Sequence, residues 1–189
     1  MRFATFTAFA VLAAAPVAAN EFEPAMRAFL DAEIRAWAQA PVLVDAVRAA
    51  NTDRIDLQQS DIDALDAAWR AEIGGAATPT ITPVLDNPAA AFLREQVAAS
   101  GGRITEVFVT GAHGLNVAAS GLTSDMWQGD EDKFTRTYSI GPDAVHFGEI
   151  ELDESTQRYQ GQISITIVDP ESGAPIGAMT IGIDAGALL

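Results

Sequence analysis

The chain has 189 residues, 49% of them hydrophobic, with 26 acidic against 11 basic side chains and a formal charge of −15. A chain of this length can bury a substantial core as one domain, while its negative charge repels phosphate backbones and anionic headgroups, which excludes nucleic acid and membrane surfaces as partners. There is no cysteine, so disulfides, thiol nucleophiles and thiolate metal sites are excluded as well.

Residues 1–19, MRFATFTAFAVLAAAPVAA, read as a cleaved secretory signal peptide. Arg2 is a short positive n-region, Phe3 to Ala15 an apolar run of h-region length, and Val17-Ala18-Ala19 supplies the small residues needed for cleavage after Ala19. The run is shorter than the roughly 20 residues of a spanning helix, and no second apolar span follows. The mature chain is therefore expected from Asn20, periplasmic or secreted, with no membrane insertion.

From Glu21 to Ala50, Phe22, Met26, Phe29, Leu30, Ile34, Trp37, Val44 and Val47 recur near helical spacing. Pro41 is expected to break this pattern near Gln39-Ala40 and to open a second segment. Asn51-Thr52-Asp53 reads as a turn. Ser60-Asp61 reads as the cap of a helix carrying Ile62, Leu65, Ala68, Trp69 and Ile73, ended by Gly74-Gly75. Residues 74–88 are rich in Gly and Pro and predict no helix. Ala89 to Ala99 predicts one, stopped by Gly101-Gly102. Trp37 and Trp69 fall on apolar faces and read as core.

Beyond residue 102 the pattern shifts to alternation. Ile104–Thr110 and Leu115–Ala119 predict a hairpin about Gly111-Ala-His-Gly114. Short strands follow at Ala144–Phe147 and Glu149–Leu152. Gln162–Val168 sets Ile163, Ile165 and Ile167 on one face, and Ile176–Ile183 is the last strand. Gly177, Gly182 and Gly186 there read as places where a helix crosses closely. The sum is an α+β domain over residues 20–189: long N-terminal helices on a PAS-like antiparallel sheet of about five strands, with a helical insertion after the second.

The insertion opens with TSDMWQGDEDKF, residues 123–134, where four acids surround one of the three Trp residues. Thr123 or Ser124 suits a helix cap, with Asp125 near the positive helix end. A carboxylate beside an indole face suits an ammonium, which makes Asp125, Trp127 and Asp130 candidate ligand contacts. Tyr138 offers a hydroxyl, and Asp153 and Ser155 lie beyond the fourth strand. Arg136, if turned inward, favours a carboxylate instead. The acids also offer hard oxygen ligands for calcium, but D-x-x-x-G-D-E-D departs from the EF-hand spacing. No G-x-S-x-G, H-E-x-x-H or P-loop pattern is present. His113 lies in a turn and His146 in a short strand as a core or edge residue. Neither is placed beside a nucleophile, so the chain reads as a non-enzyme without a cofactor.

The strings EVFVTGAHGLNVAASGLTSDMWQGDEDKF, GEIELDEST and QISITIVDPESGAPIGAMTIGI resemble the PDC-type single Cache sensor domain, in its free-standing exported form. The likeness covers roughly residues 22–186, with SDMWQGDE its most specific part. It implies a PAS-like fold and a pocket on the sheet under a loop and short helix, holding an amine, amino acid or small carboxylate. Asp125, Trp127, Asp130, Tyr138, Asp153 and Ser155 are the implied ligand-binding residues. Signal transduction then runs to a partner, either a membrane receptor or a second copy joined through the N-terminal helix. A purely structural dimerisation module is the other reading.

Overall fold

A computed structural model describes residues 20–152 and 157–189. The signal peptide at 1–19 and the candidates Asp153 and Ser155 lie outside the described residues.

The front half is helical. Helix α1 spans Glu23–Phe29 and passes directly into a π-helical turn, Leu30–Ile34. Helix α2 is Pro41–Asp53, with Pro41 in its first turn, where a missing N–H costs nothing. The turn expected at Asn51 is one step too early, because those residues stay helical. Asn51 reaches from the end of α2 to the sheet: its Oδ1 accepts from Ala112 N and its Nδ2 donates to Ile176 O. That tertiary anchoring overrides the turn propensity of Asn and Asp.

Helix α3 is Gln59–Glu72. Its cap is Gln58 rather than Ser60, and Asp61 closes a capping box by accepting from Gln58 N. A short helix α4, Thr82–Leu85, interrupts the Gly/Pro-rich segment that predicted none. Glu72 makes it possible, because its carboxylate accepts from Thr80 N and Ile81 N. Helix α5, Pro88–Ala99, is capped by Asn87, whose Oδ1 accepts from Ala90 N. It stops where Gly101 and Gly102 take positive φ.

The strands are β1 Ile104–Gly111, β2 Asn116–Ala119, β3 Val145–Phe147, β4 Glu151–Leu152, β5 Tyr159–Val168 and β6 Pro175–Asp184. All pairings are antiparallel. The spatial order is β2-β1-β6-β5-β3, with two-residue β4 also pairing with β5. Five strands therefore form the main path and β4 is a sixth. A helix α6, Asp132–Thr135, lies between β2 and β3.

Register shows how the two faces differ. Val145, Ile165, Met179, Val109 and Ala118 stand in one row across the sheet, and Phe147, Ile163, Ile181 and Val107 in another. These rows pack against Met26, Leu30, Ile34, Leu43, Val44 and Val47 of the front helices and Leu93 of α5. Each fully buried side chain of this size contributes about 1.5–3 kcal/mol. On the opposite face one row reads His146, Ser164, Thr180, Phe108, Ala119. Its β2 end is apolar, where Phe108 and Ala119 join Ile62, Trp69, Ile81, Val84 and Met126 in a second core. Towards β3 it is polar yet covered: Gln160, Ser164, Thr166 and Thr180 are all buried.

The glycines of β6 divide between the faces. Gly177 lies against Thr110 O and Val47 of α2, a close approach to a helix as expected. Gly182 faces the other way, beneath Thr105, Gln160 and Glu106, and Gly186 sits beyond the strand in the 3-10 turn Ala185–Leu188. Neither meets a crossing helix, because strand alternation puts Gly182 on the polar face.

Candidate functional site

The TSDMWQGDEDKF segment does not begin a helix at Thr123. Thr123 Oγ1 instead donates to Asp125 O at 2.8 Å, and Asn116 Nδ2 donates to Thr123 Oγ1 and to Asp125 O, which closes a compact loop. Trp127 bridges to Leu115, extending the hairpin edge, and its indole N–H donates to His113 O at 3.0 Å. Helix α6 starts only at Asp132, with Glu131 as its cap residue. Two neighbouring hollows result, and Glu131 lines both.

The first hollow is a groove of about 450 Å³ between α3 and this loop. Asp125, Trp127 and Asp130 line it together, beside Asp63, Asp66 and Arg70 of α3. Asp66 is 8% exposed. Its Oδ1 accepts from Met126 N at 3.0 Å and Trp127 N at 3.1 Å, and its Oδ2 pairs with Arg70 at 2.6 Å. Arg70 also stands 3.8 Å from Asp125 Oδ2, and Gln128 Nε2 donates to Asp125. Asp66 thus supplies the acceptor that two loop amides require. In the sequence it shares the helical face of Ile62 and Trp69, and an acid at a core-facing position was the available signal.

The second hollow is a cleft of about 700 Å³ over the polar half of the sheet, beside α6. Its wall includes Lys133 and Arg136, His146 of β3, Glu149 and Glu151, and Gln160 and Gln162 of β5. Lys133 has only 18% of its side chain exposed. Its Nζ pairs with Glu131 Oε2 at 2.9 Å and lies 5.5 Å from the Phe108 ring centre. Arg136 pairs with Asp132 at 3.0 Å in solvent. Gln160 Nε2 donates to Glu106 Oε1 at 2.8 Å, and Thr105 Oγ1 donates to Gln160. This trio meets over Gly182, where a side chain would collide with all three.

His146 is half-buried, and no hydrogen bond engages its ring nitrogens among the described residues. Burial, then the nearby Arg136 charge, hold its pKa below the ordinary imidazole value, opposed in part by Asp132.

Tyr138 lines neither hollow and stacks on Phe134 at 5.0 Å. Trp69 is fully buried, with its indole N–H donating to Thr123 O, whereas Trp37 is half-buried and edge-on to Phe92 at 6.3 Å. Among the described residues, no three His, Asp or Glu side chains gather to hold a metal ion. Nor is any helix among them long and apolar enough to cross a membrane. Sequence reasoning missed Lys133, His146, Gln160 and Gln162. Gln160, Gln162, Ser164 and Thr166 alternate with the isoleucines of β5, a pattern that ordinarily marks a solvated face.

No family model matches the chain, and no curated protein matches it. Solved structures do. The sensor domain of the Vibrio cholerae histidine kinase DctB is similar at a TM-score of 0.52 and 14% identity, over 88% of this chain and 53% of that one. The ligand-binding domain of the Campylobacter jejuni chemoreceptor Tlp3, in complex with L-valine, gives 0.45 and 14% over 88% and 64%. The Escherichia coli DcuS sensor domain gives 0.38 and 12% over 68% and 90%. The chain thus spans about half the length of the DctB structure. The likeness to DctB shows the fold: helices packed on an antiparallel sheet, the PDC/Cache sensor fold.

Proposed function

We propose that this chain is a non-catalytic sensor domain that holds a small carboxylate-bearing molecule, an amino acid foremost, in the cleft beside α6, and passes its occupied state to a partner protein outside the cytoplasm. The observation that carries this reading is the polar half-face of the sheet. Burying Ser164, Thr166, Thr180 and Gln160 adds little to a core. An open cleft adjoins that face, and Gln160 and Gln162 of β5 line it, which gives the polar face a use in recognition. Lys133 and Arg136 suit a carboxylate, and Glu131, Glu149 and Glu151 suit an ammonium on the same molecule.

The α3 groove supports a second reading, an ammonium held between the Trp127 ring and Asp125 and Asp130, because among the described residues Arg70 is the one base beside five wall acids. A thermal-shift screen of carboxylates, amino acids and amines on protein beginning at Asn20 separates the two, since a ligand that binds only the folded state raises Tm. Carboxylates and amino acids are expected to stabilise the parent. Lys133→Ala should remove that effect and Asp125→Asn should leave it intact. Stabilisation by simple amines alone, abolished by Asp125→Asn, would transfer the function to the groove. A panel that moves nothing would sink both.

A further inference from the structure

We propose that His146 makes ligand capture in the cleft proton-linked: an entering carboxylate is bound together with a proton taken from solvent onto the imidazole, so that recognition strengthens in mildly acidic surroundings. This rests on the reading of the cleft as the ligand site and adds its regulation. The argument begins with register. His146 stands opposite Ser164 on β5, in the row that continues to Thr180 and Phe108, so strand pairing fixes its side chain on the polar face. It lines the same cleft as Lys133 and Arg136.

Among the described residues, the charged groups facing it are few. From α6 and its cap come Glu131, Asp132, Lys133 and Arg136, and from the chain about β4 come Glu149 and Glu151. Strand β5 contributes only the neutral Gln160 and Gln162 to the wall, with Ser164 beside His146 in the sheet. Arg27 of α1 lies over the ring of Phe147, which points to the opposite face. Lys133 and Arg136 each already have a carboxylate, Glu131 and Asp132. His146 is the remaining basic group of the wall and has no hydrogen-bond partner among the described residues.

With the ligand absent, burial and Arg136 keep the ring neutral at pH 7. A ligand carboxylate brings the opposing charge that reverses this balance. The sign follows: the bound form has the higher pKa. Affinity is therefore greatest below the free-protein value and falls as pH rises through the bound-state value.

The chain has only two histidines, so His113, in the hairpin loop, is an internal control. Imidazole resonances would be followed by NMR from pH 5.5 to 8, where acetate stays ionised, with sodium acetate as the carboxylate probe and sodium chloride at matched ionic strength. Acetate is expected to raise the His146 midpoint by about one unit, equivalent to about tenfold tighter binding at low than at high pH, with His113 unmoved. His146→Gln, checked for folding by its amide spectrum, should keep binding at pH 8 and lose the pH dependence. If acetate moves the amides of residues 131–136 saturably while the His146 midpoint stays fixed, the proton linkage is wrong and the cleft reading stands. If acetate and the ligand panel both leave those amides unmoved, both fall.

Discussion

The two faces of one sheet are built from the same strands and differ in kind. The face towards α1, α2 and α5 is filled with Ile, Val and Met and leaves little to do but hold the fold. The opposite face is apolar only where Phe108 and Ala119 meet α3 and α4, and polar where it approaches β3. Strand alternation separates the two: odd positions of β5 fill the helix-facing core, and even positions form the polar face, from which Gln160 and Gln162 reach the cleft. Substitutions on the two faces should therefore give opposite signatures, the first lowering stability and the second lowering binding.

The largest effect is expected on the helix-facing side. Ile181→Ala removes a fully buried side chain at the centre of the sheet and should cost about 2–5 kcal/mol in urea unfolding. A loss below about 1 kcal/mol would mean that this face is not the main core. Next comes Asp66→Ala, which leaves Met126 N and Trp127 N without their acceptor. A loss of about 1–3 kcal/mol is expected, together with a change in Trp fluorescence. Unchanged stability and emission would show that the loop holds itself.

Smaller effects sharpen the contrast from the polar side. Thr180→Val breaks the 3.0 Å hydroxyl contact with Ser164 and should shift stability by about 1 kcal/mol or less. A loss as large as that of Ile181→Ala would erase the distinction between the faces. The smallest effect concerns acid. The Arg103 hydrogen bond holds the Glu33 pKa below its ordinary value, and the Arg48 hydrogen bond does the same for Asp169. Each pair ties the front helices to the far half of the chain. A depressed carboxylate pKa contributes stability that is present above the unfolded-state value and lost as pH falls through the folded one. Tm should therefore drop modestly below the ordinary carboxylate range, and less so in Glu33→Gln. An identical acid profile for that variant would show that the Arg103 pair contributes nothing.

Much of the helix-facing side was legible in the sequence. The repeat from Met26 to Val47 and the alternation of Ile163, Ile165 and Ile167 mark apolar faces that must meet, whatever the connection between them. The candidate site was legible only in part. Within TSDMWQGDEDKF, Asp125, Trp127 and Asp130 share the hollow against α3, Asp132 and Lys133 line the cleft, Glu131 lines both, and Tyr138 lines neither. Local pattern assigned this segment to a helix cap. Asp66, 60 and 61 positions away from the two loop amides it binds, supplied a competing set of hydrogen bonds and held the segment extended instead.

By itself the sequence determined the α+β class, the order of the main helices and strands and the apolar faces of the longer ones, because periodicity is a local property of the chain; the short helix α4 escaped it. Only the tertiary structure decided which polar side chains are covered and which acids are neighbours. Those facts depend on long-range pairing, and a Ser, Thr or Gln facing water has the same local pattern as one facing a cleft.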